Sequence, residues 1–98
     1  MDSSVPLSDS SRLTVPDHVV ARQASGETVV LNLDNEHYYG LDGVGTRLWE
    51  LVEAGTTFRA AVTVLLREYD VERDALEADL TALVAELHDN GLVAVDGA

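Results

Sequence analysis

Residues 37–43 read His37-Tyr38-Tyr39-Gly40-Leu41-Asp42-Gly43. Two adjacent tyrosines suit a pleated, half-buried strand. The Asp-Gly pair after them is helix-start and turn chemistry. The stretch therefore passes directly from strand to helix, and the elements on either side follow from it. Upstream, Asp34-Asn35-Glu36 is a polar turn, and residues 28–33 (TVVLNL) set Val29, Leu31 and Leu33 on one face by strict alternation. Ser25-Gly26-Glu27 makes an earlier turn, preceded by the β-prone run 18–23 (HVVARQ). Three short strands joined by tight turns form an antiparallel meander with residues 37–41 as its third strand.

Downstream the apolar period changes to that of a helix. Asp42 is placed to cap a first helix carrying Val44, Leu48, Leu51 and Val52, which Gly55 ends. Thr56 and Thr57 offer the next cap, followed by the stripe Phe58, Ala61, Val62, Leu65, Leu66 and Tyr69. A third helix begins near Glu72, with Leu76, Leu80, Leu83, Val84 and Leu87 on its stripe and Asn90-Gly91 at its close. These helices span about 12, 12 and 18 residues by pattern counting. Residues 92–95 read as a short extended tail. One face of a three-stranded sheet must pack on helices. The fold class is thus α+β, winged helix-turn-helix-like, with a three-stranded antiparallel sheet followed by three helices.

Residues 1–16, rich in serine and bearing Pro6 and Pro16, read as a flexible N-terminal arm, and residues 17–95 as one folded domain. The chain has 98 residues, 46% of them hydrophobic, which suffices for one core and not for two. It has no cysteine, which excludes disulfides, thiolate nucleophiles and thiolate metal sites and makes a cytoplasmic location the default. No apolar run suggests a signal peptide or a membrane span.

Eighteen acidic residues face six arginines and no lysine, a formal charge of −12. That balance repels phosphate backbones. A helix-turn-helix that reads DNA presents Arg, Lys, Asn or Gln to base edges. The third helix here presents Glu72, Asp74, Glu77, Asp79, Glu86 and Asp89, with Arg73 its one cation. Nucleic acid is therefore not the expected partner. His18, His37 and His88 lack metal-ligand spacing. Gly40, Gly43 and Gly45 match neither a dinucleotide nor a phosphate loop, and the serines lie almost entirely in the arm. No catalytic residue, metal ligand or cofactor is expected, and the chain reads as a binding protein.

An edge strand is a template for strand addition, and residues 37–41 carry neither the lysine nor the proline that blunts such edges. Tyr38 and Tyr39 point to opposite sheet faces. Alternation sets Tyr39 and Leu41 inward and Tyr38 towards a ligand.

Residues 28–49 (TVVLNLDNEHYYGLDGVGTRLW), with the closing run Leu87-His88-Asp89-Asn90-Gly91-Leu92-Val93, resemble the PqqD-like family of precursor-peptide recognition elements. Tyr39-Gly40-Leu41-Asp42 followed by Gly45-Thr46-Arg47-Leu48-Trp49 is most similar to the stand-alone members of lasso-peptide biosynthesis. The resemblance implies a non-catalytic domain that binds the leader of a ribosomally made precursor. The leader would add as an antiparallel strand beside the third strand, against the third helix, with a Tyr and a Pro among its anchors. It would then pass to a leader peptidase and a cyclase. The residues so implied are His37, Tyr38, Tyr39, Gly40 and Leu41, with Leu76, Asp79, Leu80, Leu83 and Glu86 on the third helix. Leu76 and Leu80 lie nearer the core side of the stripe. Asp79, Leu83 and Glu86 share one flank, whose carboxylates suit a basic leader residue. A monomer or weak dimer is expected. The alternatives are an acidic winged-helix regulator and a recognition element of another pathway, such as pyrroloquinoline quinone synthesis.

Overall fold

The computed structural model describes residues 11–96. Five strands and three helices follow in the order β1 (Arg12–Thr14), β2 (Val19–Ala24), β3 (Glu27–Asn32), β4 (His37–Asp42), α1 (Val44–Glu53), α2 (Phe58–Glu68), α3 (Arg73–Asp89) and β5 (Ala94–Asp96). The expected meander is the antiparallel sheet β2-β3-β4, with Val30 facing Ala21 on one side and Tyr39 on the other. The three helices follow it, as an α+β arrangement requires. No helix among the described residues is long and apolar enough to cross a membrane.

A second sheet pairs β1 with β5, setting Leu13 opposite Val95. The expected N-terminal arm thus divides. Residues 1–10 lie outside the described residues, whereas residues 12–14 form a strand that closes the domain against its C-terminal end. Leu13 is fully buried, and the Phe58 amide donates to the Ser11 carbonyl at 2.9 Å. The Arg12 guanidinium donates to the Gly55 carbonyl, which ties the same segment to the α1–α2 turn.

The core lies between the inner face of the larger sheet and the helices. Val30 and Leu41 meet Leu48 and Trp49 of α1, Leu65 of α2 and Leu80 of α3 in one buried cluster. The sheet face used for this is not the one with the clearest apolar alternation. On β3 the inward residues are Thr28, Val30 and Asn32, while Val29, and Leu33 just past the end of the strand, are exposed. Asn32 belongs inside because its amide donates to the Asn90 carbonyl at 3.0 Å, satisfying an orphan group at the α3 C-terminus. Its side-chain oxygen accepts from the Asp34 amide, which forms the β3–β4 turn.

Asp42 does not cap α1; it is the last residue of β4. The cap position is Gly43, at φ 50° and ψ −120°, a conformation that a side chain opposes. The Thr46 hydroxyl instead donates back to the Leu41 carbonyl at 3.0 Å across the junction. The α2 cap is Thr57, whose hydroxyl accepts from the Ala60 amide. Arg47 clamps α1 to α2, donating to both Glu68 and Glu50. That hydrogen bonding holds the Glu68 carboxyl below its usual range.

Gly91 ends α3 at φ 72°, and a Cβ there would come within 2.8 Å of the Asn32 amide nitrogen. Both the backbone conformation and the close approach demand glycine. Gly91→Ala is expected to cost roughly 1–3 kcal/mol. Urea unfolding measures this, and a variant as stable as the parent would contradict the packing described.

Candidate functional site

β4 lies at the edge of its sheet, hydrogen-bonded to β3 on one side and, among the described residues, to no strand on the other. Half the backbone groups of such an edge point outward and are available to an extended chain. The edge looks towards α3. Two contacts define how they face each other. Within β4, the Tyr39 phenol lies beside the Glu86 carboxylate. Near its end, Leu41 and Leu83 approach the same Gly45 at the start of α1: a Cβ on Gly45 would lie 3.3 Å from Leu41 Cδ2 and 3.7 Å from Leu83 Cδ2. The start of α1 thus packs closely on Leu41, with Leu83 of α3 beside it, and Gly45 permits that approach.

A cavity of about 230 Å3 opens at this point, lined by Val44 and Gly45 of α1, Val71, and Ala75, Leu76, Asp79, Leu80 and Leu83 on α3. Its walls are apolar apart from the Asp79 carboxylate. Val71, in the turn before α3, is exposed at its rim. The site is thus a strand edge, a helix wall and an apolar recess, bordered by Asp79 and Glu86. Such an arrangement takes an extended peptide by backbone pairing, with a side chain lodged in the recess.

The Tyr39 phenol is pushed from 10.0 up to about 12, by its hydrogen bond to Glu86 first, then by partial burial and the carboxylate's charge. The raised value belongs to the folded state. This contribution to stability is therefore complete below pH 10.0 and is lost as the pH climbs to about 12. In a spectrophotometric titration, Tyr39→Phe is expected to remove a phenol titrating near 12. A curve unchanged at its alkaline end would contradict the Tyr39–Glu86 contact.

The ten residues read from the sequence fall into three groups. Leu76, Asp79, Leu80 and Leu83 converge on the recess, with Leu76 and Leu80 buried in the core and Leu83 half-buried. Tyr39, Leu41 and Glu86 lie between β4 and α3. His37, Tyr38 and Gly40 are exposed, and Tyr38 and Gly40 stand on the outer sheet face, away from the helices. The tyrosine on the helix-facing side of the sheet is consequently Tyr39 and not Tyr38. Sequence reasoning missed Val44, Gly45, Val71 and Ala75. For Gly45 a signal existed, because a glycine inside the first turn of a helix weakens it without serving as a cap.

The family described as Coenzyme PQQ synthesis protein D (PqqD) matches residues 27–93, which span β3 through the approach to β5. This chain belongs to the PqqD family. Among solved structures, TbiB1 in complex with the TbiA(beta) leader peptide is 35% identical, with a TM-score of 0.79 over 82% of this chain and 93% of that one. The lasso peptide synthetase B1 complexed with the leader peptide shares the PqqD fold at 24% identity. Its TM-score is 0.76, over 84% of this chain and 96% of that one. No curated protein sequence matches. The recognition-element resemblance read from residues 28–49 and 87–93 agrees with this membership, and the matched region contains both β4 and α3.

Proposed function

We propose that this PqqD-family chain binds the leader segment of a ribosomally synthesised precursor peptide in lasso-peptide maturation, without catalysing a step itself. The observation that carries the reading is the open β4 edge beside α3, next to an apolar recess between α1 and α3. It is supported by the 35% identity to TbiB1, whose structure holds a leader peptide. The leader adds antiparallel to β4, so backbone hydrogen bonds supply affinity and the recess selects an apolar side chain. Asp79 and Glu86 favour a basic residue in the leader beside that anchor. Because these carboxylates border solvent, they contribute more to selection and capture rate than to affinity.

Ordering a flexible leader costs ~2–5 kcal/mol, which the strand pairing and the buried anchor must exceed. The bound precursor is then delivered to a separate leader peptidase and a cyclase. Titrating fluorescently labelled leader into the protein tests the reading. Saturable binding in the tens of micromolar or tighter, about −6 kcal/mol or better, is expected. Its absence at such concentrations would contradict it. The family description names coenzyme PQQ synthesis, so a leader from that pathway is the competing ligand, and the same titration with both peptides ranks them.

A further inference from the structure

A strand added beside β4 sets alternate side chains on the two faces of the sheet. Half of a bound leader's side chains therefore meet the outer face and not α3. The register fixes what each of them meets. Across β3 and β4 the outward pairs are Leu31 with Tyr38, Val29 with Gly40, and Glu27 with Asp42. A leader residue opposite Gly40 extends the middle row. Its diagonal neighbours on β4 are Tyr38 and Asp42, within reach of a long side chain.

The fold itself does not require glycine at position 40. A Cβ there would meet nothing within 4 Å, and the residue does not adopt a positive φ. Glycine inside a strand weakens it and marks a place where another chain comes close. The missing side chain leaves a hollow of about 260 Å3, lined by Glu27, Thr28, Val29, Gly40, Leu41 and Asp42. On the outer face its floor is Gly40 beside Val29, and the two carboxylates stand at one end.

Those carboxylates decide which side chain suits the hollow. Glu27 and Asp42 are exposed and directly opposite, a like-charge pair that disfavours the sheet. Among the described residues neither forms an ion pair, although Arg22 shares the outer face on β2. Two adjacent rows thus each weaken the sheet, and one kind of ligand side chain offsets both. We infer that the leader residue opposite Gly40 is Arg or Lys. Its aliphatic stem lies over Gly40 against Val29, and its charged head sits between Glu27 and Asp42. An aromatic residue would cover Gly40 and leave the repulsion in place, and an acidic one would add to it. The inference rests on the leader-binding reading and extends it to the opposite face from Asp79 and Glu86. By alternation, this basic residue stands an odd number of positions from the inward-facing ones along the leader.

The test titrates the full chain with the labelled leader of the precursor from the same biosynthetic system. A second set of peptides has each leader Arg or Lys replaced in turn by Gln. Glu27→Gln/Asp42→Asn is expected to melt at or above the parental temperature, because a repulsion is removed. It is nevertheless expected to bind the leader about three- to tenfold more weakly. One leader substitution is expected to weaken binding to the parent and to have little further effect on this variant, as a direct pair requires. Rising salt is expected to narrow the difference between parent and variant. Unchanged leader affinity in the variant overturns the inference, as does a loss that couples to no basic leader residue. A lowered melting temperature with a parallel loss of affinity overturns it too, because the carboxylates would then serve the fold. If the double variant does not fold, Gly40→Val fills the hollow where a Cβ has room. That variant is expected to bind the leader at least about fivefold more weakly, and parental affinity in it overturns the inference equally. A leader that does not bind the parent refutes the leader reading and the inference with it. One that binds the parent and both variants alike refutes the inference alone.

Discussion

Leu83→Asp is expected to weaken leader binding by about tenfold or more while the domain stays folded. Leu83 is half-buried, lines the recess beside Val44 and Gly45, and packs against the margin of the core. Replacing it removes an apolar wall whose full burial by a ligand stabilises the complex by roughly 1.5–3 kcal/mol. The new carboxylate also falls between Asp79 and Glu86, four residues before it and three after, where like charges repel. An apolar anchor entering the recess then has to desolvate a charge. Titration with labelled leader measures the loss, and circular dichroism checks the fold. A collapsed fold would assign Leu83 to the core instead of the groove.

Leu80→Ala is expected to act in the opposite sense, costing roughly 2–5 kcal/mol of stability. Leu80 is 1% exposed and sits one turn before Leu83 on α3, within the cluster that includes Val30, Trp49 and Leu65. Truncation leaves a void that this close-packed cluster fills only in part. A domain of this size holds only about 5–15 kcal/mol in total, so the shift in the urea midpoint should be large. Leader affinity, measured where the variant is still folded, is expected to fall less than in Leu83→Asp. The pair of variants thus separates the two uses of one helix. A Leu80→Ala protein of parental stability would contradict the core position given to α3.

The helices were legible because their apolar stripes follow the 3.6-residue period and their ends carry glycine or threonine. Gly55, Thr57 and Gly91 act where the sequence places them. β1 was not legible, because three residues give no period. Its partner β5 lies at the other end of the chain, and the one apolar residue Leu13 sits between polar neighbours. The alternation of Val29, Leu31 and Leu33 was real but marks the outer face. Asn32 is drawn inward by its bond to the Asn90 carbonyl, which a hydrophobic pattern does not contain.

The candidate site divides along the same line. The strand edge, the α3 flank and the inward turn of Tyr39 and Leu41 follow from periods of two and 3.6 residues. The recess beside them needs Gly45, Val71 and Ala75, which come together only through the packing of α1 against α3 and the segment that leads into α3. The expected Asp42 cap illustrates the limit: composition favoured it, yet the chain turns through Gly43 because only glycine readily takes that backbone conformation.

Amide hydrogen exchange with and without saturating leader peptide tests strand addition most directly. The outward-facing amides of β4, within His37–Asp42, are expected to become protected, while those of β2 at the opposite sheet edge keep their rates. Protection confined to β2, or saturable binding that leaves β4 exchange unchanged, would contradict it.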